Sequence, residues 1–87
     1  MALAKRTDTY YAYIVECVDG TLYAGVTTDL ERRVVEHNTS PKGAKYTRAR
    51  RPVVMRYNEQ FETMSDAAKR EAEIKGLSRT QKLMLFS

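Results

Sequence analysis

The chain has 87 residues, of which 15 are lysine or arginine and 11 are aspartate or glutamate, so its formal charge at pH 7 is +4. This length suits one small domain, and an apolar share of 43% is typical of a folded globular chain. One cysteine and one histidine exclude an internal disulfide framework and a protein-only Cys/His zinc site. Because the sequence has neither an apolar run of membrane-spanning length nor a signal-peptide core, we expect an intracellular, cytoplasmic protein.

The first part of the chain predicts a short leader followed by a β-hairpin. Residues 1–9 are polar and show no periodicity, which indicates a flexible leader before a single domain at residues 10–87. Residues 10–18 are rich in aromatic and β-branched side chains, as strands are. Asp19-Gly20 is a strong hairpin-turn signal, and residues 21–26 form the expected return strand.

The length of the hairpin turn decides which side chains share a face. A three-residue turn with Gly20 in the left-handed region places Tyr13, Val15 and Tyr23 on the same face. A two-residue Asp-Gly turn would instead place Tyr13 and Tyr23 on opposite faces. The sequence leaves both registers open.

Two helices flank a third strand in the rest of the pattern. Thr28 and Glu31 form a potential capping box for a helix that reaches about residue 38, and a long irregular connection with at most one helical turn follows. Residues 53–58 alternate as a strand does. Ser65 is the expected cap of the next helix, and Gly76 its left-handed terminator.

A last helix begins at a capping box made by Ser78 and Gln81. The predicted order is therefore ββαβαα. This order indicates an α+β fold with a small three-stranded antiparallel sheet flanked by helices.

The second long helix carries an unusual carboxylate. At 100° per residue its apolar face contains Ala67, Ala68, Ala72 and Ile74, and Glu71 falls near the middle of that face. Burying a carboxylate is costly unless it is paired or binds a metal ion. Two explanations are open, namely a salt bridge with an arginine at the edge of the core or a functional role.

The first helix places two polar side chains together. Arg33 and His37 are four residues apart and so lie on one helix face. An arginine there can grip a phosphate and a histidine can move a proton, although a purely structural histidine is equally consistent with the pattern.

A basic segment follows this helix, since no acidic residue occurs between Glu36 and Glu59. A cluster of cations with an aromatic side chain among them is typical of a segment that binds a nucleic-acid backbone, but also of a solvated loop. The candidate nucleic-acid-binding residues in it are Lys42, Lys45, Tyr46, Arg48, Arg50 and Arg51.

In chain order these residues form a pattern that resembles the GIY-YIG nuclease family. The pattern comprises Tyr11-Ala12-Tyr13, Tyr23-Ala24-Gly25, an arginine ten residues after Tyr23, then His37 and Glu71. The likeness extends over about residues 10–77. It is strongest to the small single-domain bacterial branch, and the nuclease domain of structure-specific endonucleases is similar.

The resemblance implies a role for each matched residue. Tyr13 and Tyr23 would lie at the scissile phosphate, one of them helping to activate water, and Arg33 would neutralise charge on the phosphoryl oxygens. His37 would assist proton transfer or bind phosphate. Glu71 would ligate a divalent metal ion, Mg²⁺ or Mn²⁺, because hard cations prefer carboxylate and phosphate oxygens.

The sequence departs from the family pattern at several positions. Tyr11 replaces the glycine of the first motif, and Ala12 and Ala24 replace larger aliphatic residues of the first and second motifs. Val26 stands where some relatives have lysine. The chain also has no asparagine after Asn58, although many relatives place one beyond the glutamate helix.

The function expected from these residues is metal-dependent endonucleolytic cleavage of DNA, with branched and single-stranded forms among the candidate substrates. Two alternatives are open: a non-catalytic nucleic-acid-binding module on the same scaffold, and a nuclease domain that needs a partner protein. The nuclease and the non-catalytic module would both use the basic segment, so nucleic-acid binding does not distinguish them. Metal-dependent cleavage does.

Overall fold

The computed structural model describes residues 9–87, so the expected leader lies outside the described residues except for Thr9. Its strands are β1 (Tyr10–Glu16), β2 (Leu22–Thr27) and β3 (Val54–Phe61). Its helices are α1 (Leu30–Thr39), α2 (Lys45–Arg48), α3 (Met64–Lys75) and α4 (Arg79–Met84). The strands form one antiparallel sheet in the order β2-β1-β3. The predicted α+β class and three-stranded sheet are confirmed, and the one-turn helix α2 lies in the long connection.

The hairpin turn adopts the longer of the two predicted forms. Gly20 has a φ of 85°, and its N–H donates to the carbonyl of Cys17 at 2.9 Å. Across the hairpin Val15 pairs with Tyr23. Because directly paired residues share a face, Tyr13, Val15 and Tyr23 lie together, as the three-residue turn requires.

The two faces of the sheet bury different sets of side chains. One face packs against α3 in an aliphatic cluster made of Ala12, Ile14, Ala24 and Ile74. The other face packs against Leu30 of α1 and holds a second cluster made of Tyr13, Val15, Cys17 and Val53. Cys17 is buried beside Tyr13 and Val15, as its position in the strand predicts.

The helix starts differ from the predicted ones by one or two residues. Asp29, not Thr28, caps α1, and its carboxylate accepts from the N–H of Arg32 at 3.0 Å. Thr63, not Ser65, caps α3 by accepting from the N–H of Asp66. Each segment contains more than one residue whose side chain can cap a helix, so the sequence alone did not determine the first residue of the helix.

The end of α3 also differs from the prediction. Gly76 has a φ of −81°, so it ends the helix without entering the left-handed region. Ala72 is exposed, which narrows the buried face of α3 to Ala67, Ile74 and the half-buried Ala68. The capping box of α4 is confirmed, since Ser78 and Gln81 bond reciprocally.

Strand β3 continues three residues beyond the predicted end and reaches Phe61. Its exposure alternates along its length. A register shift between Ile14 and Val15 of β1 places Tyr57 with the aliphatic cluster and Met55 with the cluster on the other face. In the described part of the chain, no helix combines the length and the apolar character that crossing a membrane requires.

Candidate active site

A close approach between neighbouring strands positions the Tyr13 phenol. Tyr13 is only 1% exposed, and a Cβ atom on Gly25 would lie 2.5 Å from its hydroxyl oxygen. Real Cβ atoms do not approach other atoms so closely, so the absence of a side chain at Gly25 makes room for the tyrosine. Gly25, the last residue of the second motif, is thus required for the close approach of the Tyr13 side chain.

Two residues of α1 meet the Tyr13 hydroxyl. The Nε2 atom of His37 lies 2.8 Å from the phenol oxygen, and the Nε–H of Arg33 donates to the same oxygen at 3.3 Å. The Arg33 guanidinium also donates to the Glu36 carboxylate and to the Lys42 carbonyl, each at 2.9 Å. The helical spacing of Arg33 and His37 thus brings both side chains onto one strand residue, as the shared face predicts.

Burial controls the protonation of this pair. Burial raises the pKa of the Tyr13 phenol above its usual value, although the Arg33 guanidinium opposes the change. Burial, together with the charge of Arg33, lowers the pKa of His37 to about 4. At neutral pH the site therefore contains a protonated phenol facing a neutral imidazole.

Tyr23 contacts the same histidine through its ring. The Tyr23 and His37 rings meet edge to face with centroids 5.6 Å apart. Tyr23 also stacks against Tyr46, with ring centroids 5.8 Å apart. The Arg50 guanidinium carbon in turn lies 4.1 Å from the centroid of the Tyr46 ring. Tyr23, Tyr46 and Arg50 form a stacked series, hereafter the Tyr23 stack, that extends from the site to the surface.

Glu71 reaches the site from α3, which packs on the opposite face of the sheet. After burial, its negative charge is among the influences that raise the pKa of Tyr13. The Glu71 side chain is 24% exposed and pairs with Lys75 at 3.2 Å, and the Lys75 ammonium lies 6.0 Å from the centroid of the Tyr23 ring. Glu71 is therefore half-buried on the helix face that Ala67 and Ile74 bury, and its ion-pair partner is a lysine instead of the arginine considered from the sequence.

Glu71 is the carboxylate that the resemblance assigns to a metal ion. Among residues 9–87 there is no group of three or more His, Cys, Asp or Glu side chains placed to hold a metal ion. Mg²⁺ is commonly bound through one or two carboxylates, with water and substrate phosphates completing its ligands. The partly exposed carboxylate of Glu71 fits an ion bound in this way.

The predicted basic segment is divided between surface and interior. The Lys42, Lys45 and Arg48 side chains are exposed around α2. Arg51, by contrast, is turned inward, and its guanidinium donates to the carbonyls of His37, Glu36 and Ser40 at the end of α1. The structure thus gives Arg51 a second task besides the phosphate contact expected from the sequence.

Thr47 is a site residue that the sequence analysis missed. It is fully buried in α2, and its hydroxyl oxygen lies 2.8 Å from Nδ1 of His37. A threonine in a polar loop carries no periodic signal that would separate it from a surface residue. Only the packing of the loop against α1 reveals the contact.

Comparison with known proteins identifies the family. The GIY-YIG catalytic domain family matches residues 9–84. The chain belongs to this family. It shares 55% identity over 76 residues with a UPF0213 protein of Desulfotalea psychrophila, covering 87% of this chain and 69% of that one. With a UPF0213 protein of Halobacterium salinarum it shares 54% identity over 77 residues, covering 88% and 99% of the two chains.

Two solved structures are also similar to this GIY-YIG domain. The solution NMR structure of a UPF0213 protein from Bacillus halodurans has 45% identity and a TM-score of 0.56, covering 88% of this chain and 81% of that chain. The solution NMR structure of a protein from E. faecalis has 45% identity and a TM-score of 0.57, covering 88% and 82%. Fold and family thus agree with the resemblance found in the sequence, and they place the chain in a nuclease family.

Proposed function

We propose that this GIY-YIG domain is a metal-dependent endonuclease that hydrolyses phosphodiester bonds in DNA, including single-stranded or branched forms. The observation that carries the proposal is the Tyr13 hydroxyl, held between the Arg33 guanidinium and a neutral His37. Phosphodiester hydrolysis needs an activated water molecule and compensation for the charge that develops on the phosphoryl oxygens. The site supplies a side chain suited to each task.

Tyr13 is the better placed of the two tyrosines to activate water. Its hydroxyl is hydrogen-bonded to Nε2 of His37, whereas Tyr23 meets that histidine with its ring. As a water molecule attacks phosphorus, its proton passes to the Tyr13 oxygen while Tyr13 gives its own proton to His37. Because the pKa of Tyr13 is raised by burial, this coupled transfer is favoured over a free phenolate.

Arg33 and Glu71 provide the electrostatic part of the mechanism. Arg33 bridges Tyr13 and the start of the basic segment, where its positive charge stabilises a phosphoryl group held against the phenol. Glu71 would hold the divalent ion, which when bound polarises the phosphate and stabilises the leaving oxygen. The Glu71 carboxylate that would hold this ion is paired with the Lys75 ammonium at 3.2 Å.

The exposed cations around α2 are suited to binding the phosphate backbone. We expect Lys42, Lys45 and Arg48 to contact phosphates directly, with Tyr46 and Arg50 offering a stacked surface next to Tyr23. Neutralising those three cations together should reduce the slope of log affinity against log salt by about 3 for duplex DNA. Arg51 is expected to support binding by holding the loop against α1.

A cleavage assay tests the proposal. Wild-type protein, Tyr13→Phe, Glu71→Gln and the control Glu73→Gln are compared on duplex, single-stranded, flap and four-way-junction DNA with Mg²⁺, Mn²⁺ or EDTA. Glu73 is a suitable control because it lies on the exposed side of the same helix, paired with Arg70. We expect cleavage only with metal, retained in the control and reduced about 10²–10³-fold in the other two variants.

Other outcomes favour the alternatives. Salt-sensitive binding of these substrates without cleavage by any protein would contradict the nuclease proposal and favour a non-catalytic nucleic-acid-binding module. The Lys75 pairing with Glu71 is the observation that favours that module, because it satisfies the carboxylate without a metal ion. Cleavage that begins only when cell extract is added, and that Tyr13→Phe abolishes, would indicate a required partner protein.

A further inference from the structure

The hydrogen bonds around His37 form one continuous chain with a fixed direction. At one end, the Arg33 Nε–H can only donate, and it donates to the Tyr13 oxygen. At the other end, the Ala44 carbonyl can only accept, and the Thr47 hydroxyl donates to it at 2.9 Å. Tyr13, His37 and Thr47 lie between these two ends, each within 2.8 Å of the next.

The two ends suggest a direction for the chain, although the Ala44 carbonyl also accepts from the N–H groups of Thr47 and Arg48 at 3.0 and 3.1 Å. With its single proton directed at Ala44, the Thr47 hydroxyl would accept from His37, and this arrangement requires the imidazole proton on Nδ1. A neutral imidazole with a proton on Nδ1 has its lone pair on Nε2. Tyr13, whose oxygen already accepts from Arg33, then donates its own proton to that lone pair.

We propose that Thr47 is a positioning residue that fixes His37 in the Nδ1–H tautomer. Its catalytic consequence rests on the proposed function, because only this tautomer leaves Nε2 able to take the proton of Tyr13. The opposite tautomer would direct a proton at the phenol oxygen and block the transfer. Since the Ala44 carbonyl cannot take up a proton, the proton on Nε2 returns through Tyr13 to solvent after cleavage.

The fold holds Thr47 in place by close packing of the loop on α1. A Cβ atom on Gly43 would lie 2.6 Å from the Glu36 carbonyl oxygen and 3.0 Å from Cα of His37. The glycine therefore lets the chain pass directly against the helix just before α2. The Thr47 N–H also donates to the Ala44 carbonyl at 3.0 Å, so backbone and hydroxyl are fixed by the same turn.

Nuclear magnetic resonance of the imidazole nitrogens tests this proposal, because His37 is the only histidine in the chain. Above about pH 5 we expect the ¹⁵N shifts of the wild-type ring to show a protonated Nδ1 and an unprotonated Nε2. Thr47→Ser keeps the hydroxyl and should retain this spectrum. Thr47→Val should lose it and reduce kcat about tenfold with unchanged KM, as expected for one lost hydrogen bond to a proton-transfer group.

Thr39→Val is the matched control. Thr39 is exposed at the end of α1, the helix that carries His37, and in the described contacts its hydroxyl donates only to the Val35 carbonyl of its own turn. It should change neither spectrum nor rate. A wild-type ring protonated on Nε2 would overturn the proposal, as would a Thr47→Val ring with the wild-type tautomer. If Thr47→Val fails to fold, the wild-type and Thr47→Ser spectra decide. Absence of any wild-type cleavage would contradict the proposed function alone, since the tautomer is measured without substrate.

A separate observation concerns a groove between the hairpin turn and α4, hereafter the α4 groove. It has a volume of about 220 Å³, and its lining residues are Thr21, Leu22, Tyr46, Arg79 and Lys82. Tyr46 belongs also to the Tyr23 stack, so the groove begins where the proposed active site reaches the surface. Asp19 at the turn is paired with Arg50 at 3.2 Å, which compensates the nearest negative charge.

We propose that the α4 groove binds the sugar-phosphate strand that flanks the cleaved bond, an inference that rests on the proposed function. Arg79 and Lys82 supply two positive charges that the basic segment does not include, and Tyr46 connects them to Tyr23. A single strand fits such an open groove because its phosphates and sugars can follow the surface without the width of a duplex.

Binding of a fluorescent single-stranded oligonucleotide in EDTA tests the α4 groove without cleavage. The double variant Arg79→Gln/Lys82→Gln should bind about tenfold more weakly and show a salt slope smaller by about 1.4. Lys69→Gln, on the exposed side of α3 near Glu73, is the control and should bind as the wild type does. Unchanged affinity of the double variant, or an equal loss in the control, would overturn the groove proposal, whereas the cleavage assay with metal reports separately on the nuclease function.

Discussion

The two faces of the central sheet are built from different chemistry. The face under α3 is aliphatic, and its Ala12, Ile14 and Ile74 side chains are fully buried. The face under α1 buries Tyr13, His37 and Thr47, whose polar atoms all have partners. A buried aliphatic side chain stabilises a fold directly, whereas a buried hydrogen bond contributes about 1 kcal/mol net and is costly when one partner is lost. The difference indicates that one face maintains the fold and the other positions reactive groups.

Replacing the central residue of the polar face gives the largest expected effect. In His37→Gln the side chain still forms hydrogen bonds but cannot take up a proton, so kcat should fall about 10²–10³-fold. Single-turnover cleavage measures this loss, and urea unfolding reports the accompanying change in stability. Near-wild-type cleavage by His37→Gln would show that the polar face has no part in proton transfer.

The opposite result is expected on the aliphatic face. Ile74→Ala removes a fully buried side chain from α3 and should lower the free energy of unfolding by about 3 kcal/mol. Its activity per folded molecule should stay at the wild-type level, because Ile74 does not contact the hydrogen-bond chain. Val35→Ala, at a position 58% exposed, is the control for loss of aliphatic volume. Loss of kcat in folded Ile74→Ala would contradict the separation of the two faces.

Acid should weaken the fold through the polar face. Between the ordinary pKa of 6.5 and the folded value of about 4, the unfolded chain binds a proton on His37 that the folded chain does not. Stability therefore falls as the pH falls, by roughly 2 kcal/mol between pH 7 and pH 5. Urea titrations at several pH values measure the effect in wild type and His37→Gln. If the free energy of unfolding fell equally with pH in both proteins, the acid sensitivity would be assigned to the carboxylates instead of His37.

Two glycine substitutions give the smallest and most direct comparison. Gly25→Ala forces a methyl group against the Tyr13 hydroxyl and should cost about 1.5 kcal/mol, together with a loss of activity. Gly76→Ala has only ordinary contacts at 3.5 Å or more and a negative φ, so its stability should change by at most about 1 kcal/mol, in the stabilising direction. Thermal melting of both variants checks this. Equal effects would mean that the Tyr13 packing is loose.

The sequence by itself determined the features that depend on short-range periodicity. Alternation along the strands, the glycine of the hairpin turn and the four-residue spacing of Arg33 and His37 are local properties, and they indicated the α+β fold and the shared helix face. The family was indicated by the resemblance of the two tyrosine motifs and the residues that follow them. Helix starts were less certain because neighbouring residues such as Thr28 and Asp29 can both cap a helix, and Asp29 takes this position in α1.

Only the tertiary structure decided which distant groups meet. The approach of the loop at Gly43 to α1 brings Thr47 to His37, and the fold turns Arg51 from a surface cation into a partner for backbone carbonyls. The same packing gives Tyr13, and not Tyr23, the hydrogen bond to the histidine. These contacts join residues 10 to 24 positions apart in the chain. No local pattern determines them, because they depend on how whole elements pack against one another.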